Sequence, residues 1–275
     1  MKARKSETYK VTGVNNNGTR SSFATLAPAG TASGANGLEW TDNEAHSFYA
    51  CYPAMDKDGE YDFSTDGETI TAVVPFDYST DQSFTRESNV FLPLESPVLL
   101  CGTSDPVAAG GEINLVFYPH STAFEFEVAA EEGDSFPLRS FTLSSASKNI
   151  TGRFLWTMDP STFQWDDVEK VDAVSKTVSA DFTSYDITLT DSQAITFTVL
   201  IREVDLDDVT ISFQIEKDGD LVNRSLRLAY ADNNFVYFSG GYKHRIHGLR
   251  IPLELTPAEN GWRSEEHTSE LQSHH

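Results

Sequence analysis

The sequence contains few cysteines, a minority of basic residues and no long apolar run. Its 275 residues include 2 cysteines, and 20 Lys and Arg stand against 42 Asp and Glu, which gives a net charge of -22. A field of this sign repels phosphate backbones and anionic lipid headgroups, so we expect binding neither to nucleic acid nor to a membrane surface. No stretch approaches the roughly 18 apolar residues that a transmembrane helix needs. A transmembrane segment is therefore not expected.

Motifs of the common catalytic sites are also missing. The sequence contains no G-x-S-x-G, no H-E-x-x-H, no Walker loop and no G-x-G-x-x-G. Carboxylate pairs for glycoside hydrolysis could be drawn from any of the 42 acidic residues, so none is favoured. We therefore predict that the protein is not an enzyme and that it needs no metal and no cofactor.

Three groups of residues resemble metal ligands and fit that role poorly. Asp56–Asp62 alternates carboxylates as a calcium loop does, but it lacks the glutamate at position twelve of an EF-hand, so an acidic turn is the better interpretation. His244 and His247 are three residues apart in a predicted strand, which places them on opposite faces. His120 has no cysteine or carboxylate in ligand spacing, and a core or corner position is favoured for it.

The cysteines and tryptophans fit the core of a β-sheet protein better than a binding site. Cys51 and Cys101 lie in apolar strands, so two buried thiols are favoured, although a disulfide stays open because their Cα separation is not fixed by the sequence. Exposed tryptophan rings can stack on sugars, but in β-sandwiches these rings more often belong to the core. The four tryptophans are Trp40, Trp156, Trp165 and Trp262.

The stretch Ile113–Val128 shows what the sequence does contain, which is short strands with alternating apolar residues. Apolar residues occupy every second position in two sets: Ile113, Leu115 and Phe117, then Phe124, Phe126 and Val128. This period of two places each set on one face of an extended strand. Pro119 lacks a backbone donor, so we expect it to mark a bulge, a corner or an edge between two strand segments.

Most of the chain repeats this pattern. In Val209–Leu228 two alternating runs flank Lys217–Asp220, where Asp-Gly supplies the positive φ of a tight hairpin turn. Phe84–Leu92 is predicted as one strand. Only Trp165–Lys176 lacks clear alternation, and we predict a short surface helix or loop there. Because no segment keeps a helical period for more than about three turns, the sequence predicts an all-β protein made of two antiparallel β-sandwiches.

The best linker candidate is Ser104–Gly111, which combines a proline, small residues and paired glycines. We therefore predict an N-terminal β-sandwich domain over residues 1–108 and a C-terminal one over residues 109–262. Residues 263–275, RSEEHTSELQSHH, resemble the translation of a sequencing adapter, so we assign no function to them. Under that interpretation the natural C-terminus lies elsewhere, and an incomplete N-terminus becomes more plausible.

Three aromatic segments resemble those of fimbrillin-like proteins of the Bacteroidales. Trp40 followed by His46–Pro53, HSFYACYP, is similar to the W…hxFYAYYP segment of that family, with Cys51 in place of the commoner tyrosine. Ile113–Val128 is similar to the family's v-x-L-x-F-x-H core, with the histidine one place later. Phe238–His244 is similar to its late f-x-x-G-x-x-Y/H element. The order of the three segments along the chain agrees with the family.

The resemblance implies a non-enzymatic subunit or accessory adhesin of type V-like pili. Family members have two transthyretin-like β-sandwich domains and are exported as lipoproteins, so we expect an extracellular location at the outer-membrane surface. The signal peptide and the lipobox cysteine of such a protein are not in this sequence. We attribute that difference to an incomplete N-terminus.

The resemblance also implies a way of assembling with other fimbrial subunits. In polymerising members an arginine-directed protease removes an N-terminal strand, and the groove left behind accepts a donor strand from the next subunit. By this analogy Thr8–Val14 is the removable strand and Arg20 is the processing site. Arg4 fits less well, because a cut there would leave the strand attached. An exposed loop arginine is the alternative interpretation of Arg20. Any donor strand is expected at or beyond Trp262.

Two other functions stay open at this point. A surface glycan-binding lipoprotein module would hold host or bacterial glycans on exposed tryptophan and tyrosine side chains and would not polymerise. An enzyme accessory or hydrolase domain would need converging carboxylates or a metal in a cleft, and nothing in the sequence favours it. The sequence does not distinguish a shaft, an anchor or a tip subunit.

Overall fold

A computed structural model describes most of the chain. The described residues are 9–16, 22–28, 43–52, 64–65, 70–94, 100–159, 164–229 and 236–254. Within these ranges the chain forms β-strands and one 3-10 turn but no α-helix, which confirms the all-β prediction. None of these segments is a helix with the length and apolar character to cross a bilayer.

The strands are short and follow one another closely. The first eight are β1 (Tyr9–Asn16), β2 (Ser22–Pro28), β3 (Tyr49–Tyr52), β4 (Ser64–Thr65), β5 (Ile70–Tyr78), β6 (Asp81–Glu87), β7 (Val90–Leu94) and β8 (Leu100–Thr103). The next six are β9 (Val116–Pro119), β10 (Ser121–Ala130), β11 (Ser135–Ser145), β12 (Thr151–Asp159), β13 (Gln164–Ser175) and β14 (Thr177–Asp181). A 3-10 turn (Thr183–Tyr185) then precedes β15 (Thr188–Thr190), β16 (Ile195–Arg202), β17 (Val209–Lys217), β18 (Asp220–Arg227) and β19 (Lys243–Ile251).

The chain divides into two compact units. The first combines Met1–Ala50 with Thr103–Val116, and the second combines Cys51–Gly102 with Phe117–His275. In the second unit β6 and β7, from before residue 108, pair with β14 and β16, from after it. The expected tandem domains with a boundary between residues 108 and 109 stay a prediction.

In the first unit the N-terminal strands form a hairpin. β1 and β2 pair in antiparallel register, from Tyr9 opposite Pro28 to Asn16 opposite Ser22. Further along the chain, His46 and Val107 exchange two backbone hydrogen bonds of 2.9 and 2.8 Å. The N-terminal hairpin and the bridge between His46 and Val107 are therefore both antiparallel backbone pairings.

The largest sheet lies in the second unit and doubles back on itself. Its strand order is β18-β17-β11-β14-β6-β7-β16-β10-β19, with β15 added at β11. β6 pairs with β14 through its first residues and with β7 through the rest, so it belongs to both halves of the sheet. Three of the described pairings, β10 with β19, β14 with β6 and β16 with β7, are parallel, while the other described pairings of this sheet are antiparallel.

Phenylalanine rings hold the two halves of this sheet face to face. Phe141 of β11 lies 4.8 Å, centroid to centroid, from both Phe126 of β10 and Phe197 of β16. Such inclined aromatic contacts add stability beyond the apolar area that they bury. The largest fully buried side chains in the described core are Phe91, Phe124, Phe126, Phe136, Phe141, Phe182, Phe197, Phe213, Phe238, Leu138 and Leu143. The described part of this unit is therefore a β-sandwich with an aromatic core.

The alternating stretch around Pro119 forms two strands, as predicted. β9 ends at Pro119 and β10 begins at Ser121, so the break falls at His120. The inclusion of Ile113 and Leu115 in the first strand is wrong, because β9 begins only at Val116 and Ile113 is 40% exposed. Within the described residues β8, the neighbour of β9 in its sheet, has 4 residues, as β9 has.

The predicted hairpin in the C-terminal half is confirmed. β17 and β18 pair in register from Thr210 opposite Arg227 to Lys217 opposite Asp220. Asp218 and Gly219 between them have φ of 54° and 87°. Positive φ at both central residues defines a type I′ turn, whose twist matches that of the strands.

Two other sequence-based expectations are wrong. The segment Trp165–Lys176, predicted as a helix or loop, is a strand up to Ser175, where β13 ends, and β13 pairs with β12 across three register shifts. Each shift adds one residue to β13 relative to β12, and an extra residue interrupts the period of two by which a strand is recognised in a sequence. The single strand predicted at Phe84–Leu92 is a hairpin, because the chain turns at Ser88, with φ of 58°, between β6 and β7.

A second sheet, of order β13-β12-β5-β4, adds a smaller core in the same unit. Phe154 and Trp156 of β12 and Tyr78 of β5 are buried, and the rings of Tyr78 and Phe154 meet edge to face at 5.9 Å. On the side of the sandwich, the guanidinium of Arg202 lies 4.6 Å from the centre of the Phe154 ring. A cation over a ring face is stabilising, more so when it is shielded from water.

The side chain of Gln82 completes the sheet where β7 ends. β7 pairs with β16 only at Thr196 and Phe197. Further along β16, the backbone N–H of Leu200 donates to Oε1 of Gln82 at 3.0 Å, and Nε2 of Gln82 donates to the carbonyl of Leu200 at 2.5 Å. The amide thus replaces a strand neighbour at a position where an unpaired backbone group would be costly.

Replacing Gln82 by leucine should lower the free energy of unfolding by about 2–4 kcal/mol, because two buried backbone groups of Leu200 lose their partner. Urea denaturation of the variant and of the unchanged protein measures this difference. Gln214→Leu, in a half-buried position of β17, is the matched control and should change stability by no more than about 0.5 kcal/mol. Equal losses in the two variants would contradict the role given to Gln82.

Candidate functional site

Three segments, at or near the ends of strands, meet at one end of the sandwich in the second unit. We call this region the Asp205 corner and define it as residues 119–122, 203–206 and 236–242, together with the adjoining Tyr118. The N–H of Glu203 donates to the carbonyl of His120 at 3.1 Å. Leu206 and Phe238 exchange two backbone hydrogen bonds of 2.8 and 2.7 Å. Backbone pairing therefore fixes all three segments relative to one another.

Asp205 holds the third segment in place. Its Oδ2 accepts a hydrogen bond from the Tyr237 hydroxyl at 2.6 Å, and its Oδ1 accepts one from the N–H of Gly240 at 2.8 Å. These donors, the Tyr237 hydroxyl first, hold the pKa of Asp205 below its usual range. The same hydrogen bond raises the pKa of Tyr237. The carboxylate therefore stays ionised and fixes the direction of the tyrosine ring.

Two glycines allow the segments to approach closely. A Cβ on Gly240 would lie 2.7 Å from the backbone nitrogen of Val204. Gly241 has φ of +77°, and a Cβ there would lie 3.0 Å from Oε1 of Glu203. Its N–H donates to the hydroxyl of Thr122 at 3.0 Å. A side chain at either position would push the third segment away from the acidic residues.

His120 anchors the first segment under this corner. Its Nδ1 lies 2.6 Å from Oε2 of Glu203, its ring centroid lies 4.5 Å from that of Trp156, and it is 6% exposed. The hydroxyl of Tyr78 donates to the His120 carbonyl at 2.5 Å. Burial is the main reason that the pKa of Tyr78 lies well above its usual range, so this hydroxyl stays a donor. The predicted core or corner position of His120 is confirmed, since it is buried between two strands.

His244 packs beneath the third segment. Its ring lies 5.3 Å from that of Phe124 and 5.1 Å from that of Phe238, and its Nε2 donates to the carbonyl of Ser239 at 2.8 Å. Burial lowers its pKa. His247 is exposed on the same strand, so the prediction that the two histidines lie on opposite faces is confirmed. In the described ranges no three His, Cys, Asp or Glu residues are grouped to hold a metal ion.

The corner exposes tyrosines that were not predicted from the sequence. Tyr118, Tyr237 and Tyr242 are 62%, 56% and 50% exposed. The sequence suggested tryptophan and tyrosine rings in general and named only the tryptophans by position, but Trp156 is buried, and the side chains of the other tryptophans lie outside the described ones. The alternation of side chains along the chain does indicate that Tyr237 is exposed, because it lies between two buried residues, Val236 and Phe238.

Other predicted site residues are not all described. Arg20 and Arg4, together with the acidic segment Asp56–Asp62, lie outside the described residues. Cys101 is buried, whereas the side chain of Cys51 is not among those described. The preference for two thiols over a disulfide therefore stays a prediction.

Comparison with known proteins supports the fold. No protein-family model and no curated protein matches the sequence. The chain is similar to the crystal structure of a proposed cell adhesion protein from Bacteroides uniformis, with 12% identity, a TM-score of 0.50 and coverage of 90% of this chain and 81% of that one. A proposed cell adhesion protein from Bacteroides ovatus is 13% identical over 83% of this chain and 71% of that one, with a TM-score of 0.47. At these identities the first likeness shows a shared fold.

Replacing His244 by phenylalanine should remove a pH-dependent loss of stability. Because burial lowers the pKa of His244 in the folded protein, the unfolded chain takes up a proton first as the pH falls through about 6.5. The contribution of the neutral His244 to the free energy of unfolding is complete above that pH. It is lost as the pH falls toward the lowered pKa, with a slope of up to about 1.4 kcal/mol per pH unit.

Urea denaturation at about pH 7.5 and pH 5.5 measures this effect. His244→Phe should narrow the difference in stability between the two conditions. Phe124→Leu is the control, since it trims a neighbouring ring but leaves the imidazole, and it should lower stability similarly at both pH values. An unchanged pH difference in His244→Phe would rule out this source of acid sensitivity.

Proposed function

We propose that the protein is a non-enzymatic cell-surface fimbrial subunit or accessory adhesin that joins its neighbours by strand exchange. The observation that carries this proposal is the pairing of β1 with β2. The strand expected to be removable, Thr8–Val14, largely coincides with β1. The expected processing site, Arg20, lies in the sequence between β1 and β2.

The hairpin gives strand removal a simple physical basis. In the described chain β1 pairs with no strand other than β2. A cut after Arg20 would end the covalent link between the two strands and leave their hydrogen bonds as the attachment. Departure of β1 would expose the backbone groups of one edge of β2. Unpaired edges readily accept an added strand, because its backbone restores the lost hydrogen bonds.

The fold and the aromatic segments support the same proposal. The likeness to the Bacteroides uniformis structure shows a fold shared with a proposed cell adhesion protein. The aromatic segments of this chain resemble those of fimbrillin-like proteins in the same order. A location at the outer-membrane surface, anchoring as a lipoprotein and partnership with other fimbrial subunits belong to this proposal. A net charge of -22 suits it, since like-charged surfaces stay dispersed until specific strand pairing joins them.

Cleavage by an arginine-specific protease should release residues 1–20, and mass spectrometry of intact protein and fragments detects the loss. Arg20→Gln should block this cut, whereas Arg4→Gln should leave it unchanged. These two variants separate the processing site from general protease sensitivity. Cleavage that proceeds equally in Arg20→Gln would remove this residue from the proposal.

A synthetic peptide of residues 8–16 then tests strand exchange directly. The cleaved protein, separated from its N-terminal fragment, should bind the fluorescently labelled peptide, because β2 then lacks its partner. Uncleaved protein should not bind it, and a peptide of the same composition in scrambled order should bind neither form. Fluorescence anisotropy measures the association. Equal binding to cleaved and uncleaved protein would contradict an exchangeable β1.

A further inference from the structure

We propose that the Asp205 corner binds a neutral saccharide, with Tyr118, Tyr237 and Tyr242 supplying ring faces and Glu203 an acceptor for sugar hydroxyls. This site goes beyond the proposed subunit function, since it uses none of the residues assigned to strand exchange. It would give the protein a ligand of its own, whether or not it assembles.

The backbone contacts bring the three tyrosines to one region. Tyr237 reaches Asp205 through its hydroxyl. Gly241, which precedes Tyr242, lies against both Glu203 and the carbonyl of Pro119, since a Cβ on it would be 3.0 Å from Oε1 of Glu203 and 3.3 Å from that carbonyl. Tyr118 immediately precedes Pro119. Tyr237 therefore contacts the corner directly. Tyr242 and Tyr118 each adjoin a residue of the corner, Gly241 and Pro119, and those two residues lie against each other.

The exposed tyrosines of the described residues are concentrated at this corner. Across the described residues the large exposed apolar or aromatic side chains number ten, and four of these are tyrosines. Three of the four belong to the corner, and the fourth, Tyr52, lies on β3. Tyrosine combines an apolar face with a polar tip, a combination that suits a ligand with both C–H faces and hydroxyls. Pyranose rings have that character.

The two carboxylates of the corner have different roles. Both oxygens of Asp205 accept hydrogen bonds from the protein itself, from Tyr237 and Gly240, so its role is to hold the tyrosine ring in place. Oε2 of Glu203 faces His120 at 2.6 Å, and the Glu203 side chain is 35% exposed. Its Oε1 can accept hydrogen bonds from a ligand. A ring held in one direction beside a fixed acceptor loses little entropy on binding.

The negative charge of the chain disfavours anionic saccharides. A net charge of -22 repels uronic acids, sialic acids and sulfated sugars, so the ligand is expected to be neutral. A basic peptide is the other ligand that an acidic, tyrosine-bearing surface could attract, through cation–π contacts and ion pairs. Such a peptide could reach the same Oε1 of Glu203, whereas both oxygens of Asp205 already accept hydrogen bonds, so the experiment includes a basic peptide as a competing outcome.

Saturation-transfer NMR on the full, uncleaved chain tests the proposal. The probes are cellohexaose, xylohexaose, mannohexaose and lacto-N-tetraose, all neutral, with tetralysine as the basic counterpart. We expect at least one saccharide to receive magnetisation, and its affinity to be unaffected by an increase in salt that screens ion pairs. Tyr242→Ala and Tyr118→Ala should each weaken that affinity by about tenfold, which titration of the NMR signal measures.

Matched variants keep the outcome interpretable. Tyr52→Ala removes an exposed tyrosine outside the corner and should bind like the unchanged protein. Tyr237→Phe keeps the ring but loses the hydroxyl held by Asp205, so it should bind more weakly than the unchanged protein and more tightly than Tyr237→Ala. Failure of every saccharide to bind, binding of tetralysine alone, or an equal loss in Tyr52→Ala would overturn the proposal. Because no cleavage step is involved, failure here leaves strand exchange untouched.

Discussion

The contact between the two halves of one doubled sheet is the constraint on which the second unit depends. Phe126 and Phe197 on one half face Phe141 on the other at about 5 Å, and similar rings continue along the core. Since β6 belongs to both halves, neither half can move far without breaking hydrogen bonds in the other. The alternating pattern of β10, β11, β16 and β17 supplies the apolar face that this contact buries.

A sheet that doubles over leaves backbone groups unpaired where its strands diverge, and polar side chains occupy those places. Gln82 pairs with Leu200 beyond the end of β7. The guanidinium of Arg224, itself buried, donates to the carbonyls of Pro252 and Leu253 where the chain leaves β19. Asp205, which is exposed, accepts a hydrogen bond from the N–H of Gly240 in the loop that leads into β19. The buried side chains of Gln82 and Arg224 therefore take the place of missing strand neighbours, as buried polar groups in native proteins require.

Surface charge and surface aromatic side chains act over different distances in this protein. The excess of carboxylates acts over the whole molecule and discourages adventitious association. Specific contacts then need features that act at short range, namely paired backbone groups at a strand edge or aromatic faces held at fixed angles. The N-terminal hairpin offers the first kind and the Asp205 corner offers the second. The two belong to different units of the chain, so each can be tested by itself.

Local pattern in the amino-acid sequence by itself determined much of this protein. The period of two around Phe124 and Phe126, the Asp-Gly turn after Lys217 and the break directly after Pro119 all act within a few residues, and the folded chain keeps each of them. Only tertiary structure decided the rest. Register shifts hide β13, parallel pairing places β19 beside β10, and the Asp205 corner joins segments far apart in sequence. Those outcomes depend on which strands become neighbours. Strand pairing in turn depends on how the apolar side chains of the whole core are buried together, which no local pattern determines.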